Sequence, residues 1–361
     1  MMAVAGFGFG FGFGAQRCAA HVTVATVSDR GPVLVTGASG FIGRRVVARL
    51  AAAGRPVRAF LMPGEDPGAI RELAAARGLE IARGDVTDAA SVTAAVRGTA
   101  RVVHLAAVVG DWGPDELFER VNVGGTRHVV DAAAAAGCER LLMVSSIVVY
   151  GRRLADGGCE EDAPREHGIG PYSRTKRASE VLALDAHGFG RVPVTVVRPG
   201  NVWGPGSGLW VDEVVRLARR GMLLLLGDGR GDATLAYVDN VVDVIIRALD
   251  APAAAGRIYN AIDAGGVSWR DYLSDLSRLV GVAPPRRSMP PVVARALAGA
   301  MERFWRLTRR RGRPLLTREA VQLLSSGPPV PIARARAELG YDPAPYDRGL
   351  AAVARYLEGT P

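Results

Sequence analysis

The run Val33-Leu34-Val35, followed by Thr36-Gly37-Ala38-Ser39-Gly40-Phe41-Ile42-Gly43 and then by the helical stretch Arg44 to Ala53, constrains this chain more than any other segment. A buried strand that turns sharply into a helix uses glycine where the backbone must bend or be approached closely. Inside a βαβ unit, glycines at this spacing bring the backbone against a pyrophosphate, and the helix N-terminus supplies amide donors to it. The surrounding sequence has that form. Short apolar runs at Val57 to Leu61, Glu80 to Ala82, Arg101 to Leu105, Leu141 to Ser145 and Val194 to Val197 alternate with helical stretches at Ser91–Arg97, Leu117–Ala136 and Tyr172–His187.

This alternation predicts an α/β fold, a Rossmann-type doubly wound parallel sheet with a smaller C-terminal substrate-binding lobe. Residues 31–200 are expected to form the NAD(P)-binding domain, with 237–256 returning to it through a helix near Val241–Leu249. Residues 201–236 and 257–361 are expected to form the second lobe, because the texture turns Gly/Pro-rich after Pro199. Residues 6–14 alternate glycine and phenylalanine, a low-complexity stretch unsuited to a packed core. Residues 1–30 are therefore expected to be a disordered extension or sequence upstream of the true start, for which Val27 is a candidate. No cationic segment followed by an apolar one suggests a secretory signal.

At 361 residues, 48% hydrophobic and 22% charged, the chain has an ordinary globular composition. The formal charge of +9 is scattered apart from Arg309, Arg310, Arg311 and Arg313, so no nucleic-acid partner is expected. Cys18, Cys138 and Cys159 form no CxxC pair, and His104, His128 and His187 share no ligand spacing, so no metal is expected. No run of about 18 apolar residues is present, and a cytoplasmic location is expected, with peripheral membrane contact allowed.

Lys176 is the only lysine, against 44 arginines. A chain that uses arginine for generic positive charge keeps an ammonium only where a compact donor is needed. Lys176 lies four residues after Tyr172, on one helix face. An ammonium beside a phenol favours phenolate and is expected to lower its pKa. Tyr172 can then move a proton to or from a substrate oxygen, while Lys176 holds a nicotinamide ribose. Ser145 and Ser146, at the end of the fifth strand, offer a hydroxyl to orient that oxygen. No nucleophile elbow is present, which excludes the corresponding hydrolase chemistry.

Cofactor contacts are expected from Gly37, Ser39, Gly40, Phe41, Ile42 and Gly43, from Leu105, Ala106 and Ala107 where the dinucleotide crosses the sheet, and from Tyr172 and Lys176. Asp85 and Val86 follow the third strand; Asp85 suits either an adenine amino group or a helix N-cap. Leu61 and Met62 stand where an aspartate would take both ribose hydroxyls. With that acid missing and Arg44 within reach of a 2′-phosphate, the cofactor is NAD or NADP, with the balance toward NADP.

Together these residues resemble the extended short-chain dehydrogenase/reductase superfamily over about residues 32–350. The matching motifs are the glycine turn, Gly84-Asp85, His104-Leu-Ala-Ala107, Val121-Asn122-Val123, Val144-Ser-Ser146 leading to Val149-Tyr150-Gly151, Tyr172-x-x-x-Lys176, Val197-Arg-Pro-Gly-Asn-Val-Trp-Gly-Pro205 and Tyr237-Val-Asp-Asn240. The resemblance implies that Ser146, five residues before Gly151, is the catalytic serine beside Tyr172 and Lys176. It also implies that Pro199, Asn201 and Val202 line the nicotinamide side. Nucleotide-sugar epimerases of the superfamily usually carry an arginine shortly before the Tyr-Val-Asp segment; here the position is Ala233, with Arg230 nearby. The segments Gly256-Arg-Ile-Tyr-Asn260, Pro314-Leu-Leu-Thr317 and Ala337-Glu-Leu-Gly-Tyr-Asp-Pro343 look instead like the 3β-hydroxysteroid dehydrogenase branch.

The resemblance thus implies an NAD(P)-dependent oxidoreductase interconverting a secondary alcohol and a ketone on a small hydrophobic substrate, sterol-like or a long-chain β-keto acid. Alternatives are a nucleotide-sugar epimerase or dehydratase, and a redox-sensing protein that binds dinucleotide without turnover. In 291–313, Val293, Leu297, Ala300, Phe304 and Leu307 recur at helical spacing beside arginines. This helix either covers the substrate lobe or rests on an anionic membrane. A homodimer is left open.

Overall fold

The computed structural model describes residues 31–77, 79–325 and 327–359; the expectation for residues 1–30 lies outside the described residues. Strands β1 (Val33–Thr36), β2 (Val57–Leu61), β3 (Glu80–Arg83), β4 (Arg101–His104), β5 (Arg140–Val144) and β6 (Val194–Pro199) are followed by β7 (Asn201–Trp203), β8 (Leu225–Leu226), β9 (Leu235–Tyr237), β10 (Ile258–Ala261) and β11 (Ser288–Met289). Seven of them form one parallel sheet in the order β3-β2-β1-β4-β5-β6-β10. The expected Rossmann-type doubly wound sheet is present.

Alternation along the strands puts successive side chains on opposite faces, and both faces are covered. Val33 and Val35 pack into one apolar cluster while Leu34, between them, packs into the other. The order of strands reverses between β1 and β4. Their carboxyl ends open the crevice in which an open α/β sheet binds its ligand.

Helices α1 (Gly43–Ala52), α2 (Ala69–Arg77), α3 (Ala89–Val96), α4 (Asp115–Phe118), α5 (Gly125–Ala135), α6 (Arg153–Asp156) and α7 (Pro171–Gly188) accompany the first six strands. The single helix expected over Leu117–Ala136 is broken by a π-helical segment, Glu119–Gly124, between α4 and α5. Its cause is visible in Asn122. Its side-chain carbonyl accepts from the Val108 amide at 2.7 Å, and its Nδ2 donates to Val108 O and Thr175 Oγ1. One side chain therefore ties the loop after β4 to α7.

The remaining helices are α8 (Glu213–Arg219), α9 (Val238–Asp250), α10 (Trp269–Leu279), α11 (Pro291–Leu307), α12 (Arg318–Leu324), α13 (Ala333–Leu339) and α14 (Tyr346–Glu358). Helix α9 is the expected return to the sheet, packing with α1, β5 and β6. Strand β10 falls in the segment assigned from sequence texture to the second lobe, yet it pairs in parallel with β6 in the central sheet. Its signal, four residues after a loop, is too short to separate from its surroundings. Trp203, Tyr237, Tyr272 and Trp269 centre a second core beside the sheet.

Helix α11 buries small residues, Ala294 and Ala298, with Glu302, whose carboxylate accepts from the Arg318 amide and guanidinium. Most of the spaced apolar residues on it face outward: Val293, Phe304 and Leu307 are exposed, and Leu297 is exposed at the cavity edge. No helix among the described residues is long and apolar enough to cross a membrane.

Candidate active site

The residues expected to bind the cofactor or to carry the chemistry line one cavity of ≈ 1170 Å³. It runs from Gly37, Ser39, Gly40, Phe41, Ile42 and Gly43 along Asp85, Val86, Leu105, Ala106 and Ala107. It continues past Ser146, Tyr172 and Lys176 to Pro199, Asn201 and Val202.

The glycine turn is shaped for close contact. Gly37 has φ +64°, and a Cβ there would lie 2.9 Å from the Ala106 amide nitrogen. A Cβ on Gly43 would lie 2.0 Å from the Gly37 carbonyl oxygen. Side chains at either place would push α1 off β1 and fill the cradle, so these residues fit a dinucleotide pyrophosphate. Asp85 accepts from the Thr87 amide, while Asp88 caps α3. The N-cap role considered for Asp85 therefore belongs to Asp88, and Asp85 faces the cavity.

Helix α7 carries Tyr172 and Lys176, and Pro171 at its first position starts it. The Lys176 ammonium is buried and donates to the Val144 carbonyl at 2.6 Å, pinned between α7 and β5. Two of its three donors stay available. Tyr172 is hydrogen-bonded to the Ser146 hydroxyl, which also accepts from the Val148 amide at 3.3 Å. Ser145 Oγ is buried in the same cavity wall without a partner. His104 takes no part in this group. It is held between Thr36 Oγ1 and Thr126 Oγ1, and burial drives its pKa down to about 3, so it is neutral.

The electrostatics correct one expectation. Spacing suggested that Lys176 lowers the phenol pKa; instead burial pushes Tyr172 up to about 12 against the lowering pull of its Ser146 hydrogen bond. Burial likewise brings Lys176 down to about 8, opposed by Glu180. Desolvation penalises the charged form of both groups, and the Glu319 carboxyl adds to the rise at Tyr172. The site at rest holds a neutral phenol, a proton donor.

Lys176→Arg is expected to lower kcat/KM by about 10²-fold, because a planar guanidinium cannot enter the slot that directs Nζ to the Val144 carbonyl. Steady-state kinetics on the folded variant measures it.

Four carboxyl groups missed in the sequence also line the cavity, Glu65, Asp111, Glu213 and Glu319, of which two approach the expected site residues. Glu65, four residues beyond β2, accepts from the Ser39 hydroxyl and from the Met62 amide at 3.0 Å. A loop that folds back on the glycine turn thus brings a carboxylate close to the positions of Leu61 and Met62. Arg44 turns the other way: its guanidinium lies 2.6 Å from where a Gly206 Cβ would be, and it does not line the cavity. Glu319, from α12, accepts from the Ser173 amide at 2.9 Å, beside Tyr172. A Gly-Glu-Asp turn after a strand was the signal for Glu65; Glu319 had no local signal. Among the described residues no three His, Cys, Asp or Glu side chains gather to hold a metal.

Residues 33–261 match the NAD dependent epimerase/dehydratase family, and the chain belongs to it. It is therefore an enzyme of a family defined by NAD dependence, as the short-chain dehydrogenase/reductase motifs implied. The chain is 31% identical over 318 residues to the 2-alkyl-3-oxoalkanoate reductase of Stenotrophomonas maltophilia, across 86% of this chain and 94% of that one. It is also 31% identical over 340 residues to a 3 beta-hydroxysteroid dehydrogenase/Delta 5→4-isomerase of Mycobacterium tuberculosis, across 88% and 87%. Among solved structures, MoeE5 in complex with UDP-glucose and NAD aligns at a TM-score of 0.69 and 26% identity, covering 91% of this chain and 99% of that one.

Proposed function

We propose that this enzyme reduces a ketone on a hydrophobic small molecule to a secondary alcohol, using NADH. The observation that carries this reading is the continuity of one cavity, from the glycine cradle past Tyr172 into a chamber walled by Leu217, Leu223, Leu226, Leu273, Met289 and Leu323. Its mouth is apolar too: Val109 is 66% and Leu315 67% exposed at its edge.

When bound, the dinucleotide supplies the hydride. Tyr172 gives the proton to the carbonyl oxygen, and a phenol pushed up to about 12 is protonated throughout the neutral range, the state that reduction requires. Ser146 orients that oxygen through its hydroxyl. Lys176 would offer its remaining donors to the ribose hydroxyls of a bound dinucleotide, and its positive charge stabilises the phenolate left on Tyr172 until a proton from solvent restores the phenol.

A nucleotide-sugar substrate is less well supported. Ala233 is fully buried, and the Arg230 side chain is 83% exposed, paired with Asp228 and outside the cavity lining. Arg313 does line the cavity, but its guanidinium is occupied by Asp111. No free cation among these is placed to meet a diphosphate.

Glu65 supports NADH over NADPH. A carboxylate beside Ser39 suits ribose hydroxyls and repels a 2′-phosphate, and Arg83, the nearest arginine in that loop, is engaged by the Met62 and Glu65 carbonyls. NADH is expected to be preferred at least about tenfold in kcat/KM, and Glu65→Gln should narrow the gap. Cofactor oxidation followed with a long-chain ketone and with UDP-glucose tests the whole reading. Consumption of NADH with the ketone is expected; conversion of the sugar without net consumption overturns it.

A further inference from the structure

Helix α11 turns an apolar stripe to the outside of the molecule. Val293, Leu297, Ala300, Phe304 and Leu307 follow one another at intervals of three and four residues, so they share one face. All five are exposed, Leu307 at 73%, while Ala294, Ala298 and Glu302 on the other side are buried. Leu297 belongs both to the stripe and to the lining of the cavity, and Leu315, exposed beyond the helix, lines it too. The apolar face therefore meets the cavity mouth. Arginines border it. Arg295, Arg303 and Arg306 stand on α11, and Arg309, Arg310 and Arg311 follow it, all exposed. Arg306 lies over the Trp112 ring, and Arg310 over the Phe304 and Trp305 rings. Within 291–317 the single acid is Glu302, buried against Arg318, and Asp111 is taken by Arg313. The six bordering charges have no carboxylate partner among the described residues.

Large exposed apolar side chains bordered by uncompensated cations fit a partner that is apolar within and anionic at its rim. We propose that α11 and the arginines after it dock the enzyme on the surface of an anionic phospholipid bilayer, so that the cavity mouth at Leu297 and Leu315 opens onto the lipid. The arginine stems lie along the apolar layer while their guanidinium groups meet lipid phosphates. Docking is superficial, because no helix among the described residues is long and apolar enough to cross a membrane. A second copy of the chain fits this face less well: it would bring both sets of arginines into one interface with no acid to meet them. The docking stands apart from the ketone-reducing reading; only the passage of a hydrophobic substrate from the bilayer to Tyr172 rests on it.

The test is co-sedimentation of the full chain with vesicles of phosphatidylcholine, alone or mixed with phosphatidylglycerol. Binding to the mixed vesicles is expected to be at least about tenfold tighter than to phosphatidylcholine alone, and to weaken as salt is raised. The chain carries +9 overall, so variants separate docking from general attraction to anionic lipid. V293S/L307S keeps every charge and touches no residue of the cavity lining, yet should lose about tenfold in vesicle affinity. R303Q/R309Q should lose as much. R71Q/R97Q, which removes equal charge from exposed positions on α2 and after α3, should bind as the wild type does. Equal losses in the two arginine pairs, or wild-type binding by V293S/L307S, overturn the proposal, since either marks attraction by net charge alone. Failure of the wild type to bind mixed vesicles overturns it as well. So does a dimer in solution that V293S/L307S dissociates, which would make this face a contact between copies. NADH consumption with a water-soluble ketone should be unchanged in V293S/L307S. Its absence in the wild type sinks the ketone-reducing reading and leaves the docking to the vesicle result.

Discussion

Tyr172→Phe is expected to lower kcat for ketone reduction by about 10³-fold while leaving the dissociation constant of the dinucleotide within about twofold. The substitution deletes one oxygen, and phenylalanine keeps the ring in place on α7. What disappears is the proton donor hydrogen-bonded to Ser146. Single-turnover kinetics separates the two effects, and a variant that keeps wild-type kcat would remove Tyr172 from the chemistry. The sign of the pH dependence follows from the same group. Because burial holds the phenol near 12, reduction should not lose its proton donor across the neutral range. The ammonium of Lys176, at about 8, is lost first as pH rises, so activity should decline through that value. Loss of activity on acidification to about 6 would contradict this assignment.

Glu180→Ala is expected to destabilise the fold by about 3–5 kcal/mol, measured by chemical or thermal unfolding. Glu180 and Arg198 are both fully buried and joined by two hydrogen bonds, at 3.1 and 2.5 Å. Arg198 also donates to the Tyr150 hydroxyl and the Glu161 carbonyl. Removing the carboxylate leaves a guanidinium without its counter-charge in the interior, where Glu180, helped by Tyr150, holds its pKa above the ordinary value against burial. Replacing both residues by apolar ones of similar volume should recover much of the loss, since the pair is costly to break and not intrinsically stabilising. The pair fixes α7 to β6, and Glu180 also raises the Lys176 pKa. In Glu180→Ala the alkaline limb of activity should therefore move to lower pH.

What could be seen in the sequence was what depends on local spacing. The glycine turn, the Tyr172–Lys176 interval and the Ser146–Gly151 interval are each short, and the glycines, Ser146, Tyr172 and Lys176 meet in the cavity. What escaped depends on folding back over distance. Glu65 reaches Ser39 across 26 residues, and Glu319 reaches Ser173 across 146. No periodicity marks such contacts. The direction of the Tyr172 shift escaped for a related reason: spacing locates a charge, but only burial reveals the solvent it has lost. Helix α11 showed the limit of hydrophobic pattern. Val293, Phe304 and Leu307 face outward because Ala294 and Ala298 allow close packing on α12, while Leu297, though part-exposed, and Met301 line the cavity mouth.

Strand β10 gives the chain an order of assembly. The outer edge of β6 is closed by residues 258–261, which leave the ribosome only after the whole excursion through β7, β8 and β9. Until then the strand ending at Pro199 presents unpaired backbone groups to the cell, an edge on which a neighbouring nascent chain can add. Arginine at 198, seated on Glu180 inside the growing molecule, puts a charged anchor at that vulnerable margin during biosynthesis.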